Sequence, residues 1–131
     1  MILTTVATTI SGVIAVLIIL IGARFLLAPK AAAAGFGLPV APTVAQTAEG
    51  SPNPWLDVKG VRDIASGIFL LILLANGAPH LLGGALAAAS MIPLSDALIA
   101  LRSGASMTIA LGIHGATGVT MLASSAVLVM S

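Results

Sequence analysis

Five side chains of this sequence are of types that move protons or hold charge, and each falls in or beside an apolar run: Arg24, Arg62, Asp63, Asp96 and His114. Ionisable groups at membrane depth are costly, so they usually face a bundle interior or a wet cavity and mark a functional site. Asp63 lies in Val-Lys-Gly-Val-Arg-Asp-Ile-Ala-Ser-Gly at 58–67, which carries opposite charges side by side into an apolar stretch reaching Leu74. Asp96 lies in Met-Ile-Pro-Leu-Ser-Asp-Ala-Leu-Ile-Ala at 91–100. Two carboxylates in unequal settings can divide into an acid and a base. The expected assignment is Asp63 as base, Asp96 as acid and Arg62 orienting Asp63, with the two carboxylate roles interchangeable. Adjacent helical residues point about 100° apart, so Arg62 could instead serve Asp96 across an interface.

The scaffold for such a site follows from composition. Of 131 residues, 59% are hydrophobic and 7% charged, with a mean hydropathy of +1.18, whereas roughly a quarter of residues are charged in soluble domains. This is the composition of an integral membrane protein. The length holds about four spans of roughly 20 residues and one real loop, which leaves no soluble catalytic domain. Cysteine is absent, which excludes disulfides, thiolate nucleophiles and Cys-ligated zinc. A net charge of +1 with no Lys/Arg-rich run argues against nucleic acid, whose phosphate backbone needs clustered cations. His80 and His114 lie at different depths without tight ligand spacing, so no metal is expected, and no cofactor.

The expected fold is all-α: a single membrane domain, a four-transmembrane-helix bundle running up-down-up-down, with helices at about 2–28, 57–75, 80–102 and 105–130. The first run, free of charge until Arg24 and stopped at Ala28-Pro29, could be mistaken for a signal peptide. It lacks a basic residue before its apolar core and is longer than such cores are. Residues 29–56 turn to Ala, Gly, Pro, Thr and Ser, the composition of one long loop, either a lid or merely irregular, with room for a helical turn at 31–34. Asn76-Gly77-Ala78-Pro79 is a tight turn, and Ser103-Gly104 makes the next. Pro93 removes one backbone donor near Asp96. Gly112, Gly115, Ala116 and Gly118 offer the small-residue face that lets helices approach in lipid.

All five Lys and Arg residues, Arg24, Lys30, Lys59, Arg62 and Arg102, lie at or beside the connections between helices one and two and between helices three and four. The positive-inside rule places those connections in the cytoplasm and both termini on the opposite side. At a rise of about 1.5 Å per residue, Asp63 lies roughly 9 Å inside its helix, Asp96 at similar depth, and His114 about 15 Å beyond Gly104. Lys59, Arg62, Asp63 and Ser66 share one face by their i, i+3, i+4, i+7 spacing, and His114, Thr117 and Gly118 share another. A bundle with these faces turned inward gathers Arg24, Arg62, Asp63 and Asp96 around a cytoplasm-facing pocket with His114 at its floor. Lys59, Ser66 and Thr117 would then contact a substrate, as would Trp55 unless it serves as a headgroup-level anchor, the common role of Trp at such a position.

The motifs Gly-Ala-Arg-Phe-Leu-Leu-Ala-Pro at 22–29, Lys-Gly-Val-Arg-Asp with Ser66-Gly67 at 59–67, Ile-Pro-Leu-Ser-Asp-Ala at 92–97 and His114-Gly115 resemble a family of small four-helix membrane proteins known as a domain of unknown function, DUF4267. The resemblance runs from Arg24 to Gly118, one motif per helix in order. It implies four helices and carries no catalytic assignment.

Three functions fit these residues. The first is a membrane enzyme acting on a lipophilic small molecule by epoxide opening, isomerisation or cyclisation. Its carboxylates would work as in the Asp-Arg-Asp set of limonene-type epoxide hydrolases, a likeness of chemistry and not of fold. The second is a structural or accessory subunit whose Asp/Arg cluster is an ion-pair network and whose small-residue faces receive a partner. The third is a transporter or proton relay, for which the charges lie on only one half of the membrane and a homo-oligomer would be needed to complete a path. The lipid bilayer is the partner common to all three.

Overall fold

The computed structural model describes residues 1–38 and 54–131, and among these every regular element is helical. The chain runs α1 (Ile2–Leu27), α2 (Pro29–Phe36), α3 (Pro54–Ala75), α4 (Pro79–Ala89), α5 (Met91–Arg102), α6 (Met107–Ile109), a π-helical segment (Ala110–Gly115) and α7 (Ala116–Val129). Among the described residues, three stretches are long and apolar enough to cross a membrane: Ile2–Leu27, Pro79–Arg102 and Met107–Val129. α3 is long enough at 22 residues, but Lys59, Arg62 and Asp63 interrupt its apolar run. Many large apolar side chains point outward, Leu3, Leu17, Leu20, Phe69, Ile72 and Val119 among them, as expected of helices that meet lipid tails rather than water.

Two antiparallel pairs organise the helices. α1 packs along α3 and α4 along α7. Lipid tails are as apolar as Leu, so association depends on close van der Waals fit, and small residues supply it. A Cβ added at Gly22 would stand 2.5 Å from the carbonyl oxygen of Gly60, and one at Gly60 would stand 2.8 Å from that of Gly22. Gly67 sits as tightly against Ala15 and Ile19. In the other pair Gly83 meets Ser125, Leu128 and Val129, and the Ser125 hydroxyl donates to the Gly83 carbonyl at 2.7 Å. Ala7, Ile14, Leu70, Leu82, Leu86, Met121 and Leu128 fill one half of the core. Phe25, Ala32, Ala33, Phe36 and Leu56 fill a second cluster at the other end.

Three details depart from the sequence expectation. Part of the expected 29–56 loop is α2, opened by Pro29 at its first position and closed by Gly37 at φ 86°, a left-handed conformation suited to glycine; 39–53 lies outside the described residues. Helix three is broken at Ser90. Pro93 accounts for the position of the break, because a proline ring collides with the carbonyl four residues back, here that of Ala89. The fourth helix is interrupted by the π-helical turn, which the sequence does not announce.

The α1–α3 contact gives a direct test. Gly60→Leu is expected to lower the thermal unfolding temperature of the detergent-solubilised protein, at an overpacking cost of about 1–3 kcal/mol. Gly84→Leu, at a glycine whose Cβ would meet nothing within 4 Å, should leave it unchanged.

Candidate functional site

Lys59 occupies the centre of the charged cluster. Its Nζ donates to Asp63 Oδ2 at 2.7 Å, one helical turn along α3, and to Asp96 Oδ2 on α5 at 3.3 Å. The side chains of Lys59, Asp63 and Asp96 are 13%, 6% and 14% exposed. Two aromatic rings flank the ammonium, Phe36 at 4.6 Å and Phe25 at 5.2 Å from their centroids, and the negative faces of such rings attract a cation. Arg62 stands farther out: Nε is 3.6 Å from Asp63 Oδ1, Nη2 is 4.0 Å from Asp96 Oδ1, and its side chain is half exposed. The cation expected to orient Asp63 is thus peripheral, and Lys59 takes the bridging place. The i, i+4 step puts Lys59 and Asp63 on one helical face, whereas adjacent Arg62 and Asp63 diverge.

A cavity of about 90 Å³ opens beside the bridge. Lys59, Asp63 and Ser66 of α3 and Asp96 of α5 form its charged and polar side. Ile18 and Ile21 of α1, Phe36 of α2, and Ala89, Ile92 and Pro93 at the break in helix three form an apolar one, with Ile113, His114 and Thr117 closing it. The proline break and the π-helical segment both contribute lining. Irregular backbone is tolerated at membrane depth where it is buried in protein or lines a cavity, and π-bulges frequently fall at functional sites.

His114 is buried in the π segment, with Nε2 3.2 Å from the carbonyl oxygen of Phe36 and its ring 4.0 Å from the Phe36 ring. A carbonyl only accepts, so Nε2 carries the hydrogen and a neutral ring keeps Nδ1 as its acceptor. A second cavity, of about 190 Å³, lies beyond this stack. Arg24 lines that second cavity and not the first, so the structure separates it from the aspartates. Ser66 and Thr117 line the first, their hydroxyls donating to the backbone carbonyls of Arg62 and Ile113. Trp55, exposed on the first turn of α3, lines neither. Among the described residues, no three His, Asp or Glu side chains gather as a metal site would require.

The chain matches the family described as a domain of unknown function, DUF4267, over residues 15–128. It belongs to that family. No curated protein and no solved structure matches it. The matched region takes in α1 from Ala15 onward, α2, and every residue lining the two cavities.

Sequence alone does not show that Phe25 and Phe36, two of only three Phe residues, cover the Lys59 ammonium. The available signal was Phe36 between two glycines at the end of an alanine run, a large side chain where only small ones surround it.

Removing one member of a buried ion pair strands the remaining charge, at a cost of about 3–5 kcal/mol, whereas exposed pairs are worth about 0–1 kcal/mol. Lys59→Met should therefore lower thermal stability strongly and Arg62→Met little. Adding Asp63→Asn and Asp96→Asn to Lys59→Met should restore part of the loss. Equal effects of Lys59→Met and Arg62→Met in thermal unfolding would contradict the central place of Lys59.

Proposed function

We propose that this protein is a membrane-embedded enzyme that carries out acid–base chemistry on a lipophilic small molecule in the Lys59-Asp63-Asp96 cavity. The observation that carries this reading is a pair of carboxylates from two helices, bridged by one ammonium, on the wall of an otherwise mostly apolar cavity. An apolar site with few convergent polar groups is the usual form of a small-molecule site.

Epoxide opening is the reaction these groups serve most directly. Asp63 would take a proton from water as the water oxygen attacks one epoxide carbon. The carbon–oxygen bond breaks, and a protonated Asp96 would give its proton to the departing oxygen. The diol leaves with the elements of water added, and the proton on Asp63 returns to Asp96 through solvent or through His114. Lys59 Nζ stands 2.7 Å from Asp63 and 3.3 Å from Asp96, and the two carboxylate roles are interchangeable. Lys59 would keep both carboxylates aimed into the cavity.

In this reading all four long helical stretches span the bilayer, α3 included because its buried charges are paired. The Arg24 and Arg102 ends face the cytoplasm and both chain termini the other side, as the positive-inside rule requires. Among the described residues, the buried polar groups other than Asp63 and His114 are serines, Ser11, Ser90, Ser124 and Ser125, which make no chain of ionisable groups for a transmembrane relay. An ion-pair network that only registers α3 against α5 is the competing reading.

Turnover of a panel of lipophilic epoxides by the purified protein, followed by mass spectrometry of the diols, tests the proposal. Asp63→Asn and Asp96→Asn should each reduce turnover by about 100-fold or more, the usual scale of acid–base contributions, while the protein stays folded. Absence of wild-type turnover across the panel, or undiminished turnover in both variants, would count against it.

A further inference from the structure

The second cavity, bordering the Phe36-His114 stack, has a different chemistry from the first. The two share a wall made of Ile21, Phe36, Ile113 and His114. The rest of the second cavity consists of Phe25, Ala32 and Gly35 with one formal charge, Arg24. Lys59 and Arg62 both have carboxylates within reach, but no carboxylate among the described residues lies within salt-bridge distance of Arg24. Gly35, which lines the cavity, is exposed, and a Cβ there would meet nothing within 4 Å. Arg24 lies in the last turn of α1, next to the α2 connection, where a membrane helix reaches headgroup level. The site thus pairs a guanidinium that no described carboxylate bridges with an apolar, partly aromatic hollow beside a short helix.

We propose that this cavity binds the head and first carbons of a single-chain anionic amphiphile, with its anionic oxygens on Arg24 and its chain against Ile21, Phe25 and Ile113. A guanidinium presents paired donors that suit either a carboxylate or a phosphate, so a free fatty acid and a lysophospholipid with a terminal phosphate share the required chemistry. A neutral lipid of the same chain lacks it. Arg24 does not line the first cavity, so the charged anchor of this site is distinct from the Lys59 cluster.

The experiment uses the full chain in nanodiscs of neutral phosphatidylcholine, labelled with a photoactivatable fatty acid and mapped by mass spectrometry. Labelling is expected on peptides containing Phe25 or Ile113, and Arg24→Gln should cut it at least fivefold. Gly35→Leu, which fills the hollow and keeps the charge, should do the same. Excess oleate or lysophosphatidate should compete, and whichever competes better identifies the head; monoolein should not compete. Asp96→Asn should leave labelling intact, which separates this site from the enzyme reading whether or not that reading survives. Undiminished labelling in both Arg24→Gln and Gly35→Leu, competition by monoolein equal to that by oleate, or loss of labelling in Asp96→Asn would overturn the proposal.

Discussion

The arrangement of this bundle depends on where the Lys59 ammonium goes. An ammonium on the inward face of so apolar a bundle must either reach water or find counter-charges, and Lys59 finds two, one turn along its own helix and one on α5. Among the described residues every buried side-chain nitrogen or oxygen has a hydrogen-bond partner, which is what interiors demand of polar groups they take in. The pairing fixes the rotation of α3 about its axis, since Asp63 and Lys59 must face inward together. The close approach of Gly22 and Gly60 on the neighbouring face brings α1 against α3 beside Lys59, and Phe25, three residues beyond Gly22, covers the ammonium from that side.

Two backbone irregularities border the cavity. Pro93 breaks one helix at Ser90, and the π-helical turn widens another around His114. The space these turns line also borders the paired charges. α2 then finishes the enclosure. It buries Ala32, Ala33 and Phe36 and lays the Phe36 ring between Lys59 and His114, so that one side chain borders both cavities.

Hydropathy and turn residues made the long helices legible in sequence, because runs such as 2–27 and 105–129 admit few alternatives in a chain this apolar. The convergence of Asp63, Asp96 and His114 on one cavity follows from helical spacing together with the cost of turning charge toward lipid. Which cation bridges the aspartates was not legible from types alone: Lys59 and Arg62 are both near in sequence, and only the i, i+4 geometry and the depth of the Phe rings decide between them. Arg24 shows the limit of reading depth without helix order, since it lies near the level of the cluster and yet faces another cavity. The π turn at Ala110–Gly115 and the role of Phe36 depend on tertiary packing, which no local pattern records.

The bridge itself can be measured in a lipid bilayer. Lys30 and Lys59 are the only lysines and Asp57, Asp63 and Asp96 the only aspartates, so Lys30→Arg with Asp57→Asn leaves one labelled nitrogen and two labelled carboxyl carbons. Solid-state NMR dephasing between Lys59 Nζ and aspartate Cγ should reveal two short couplings, the closer to Asp63 and the second to Asp96. A single coupling to Asp63 would mean that α5 does not bring its carboxylate to the ammonium, and the account of the site given above would be wrong.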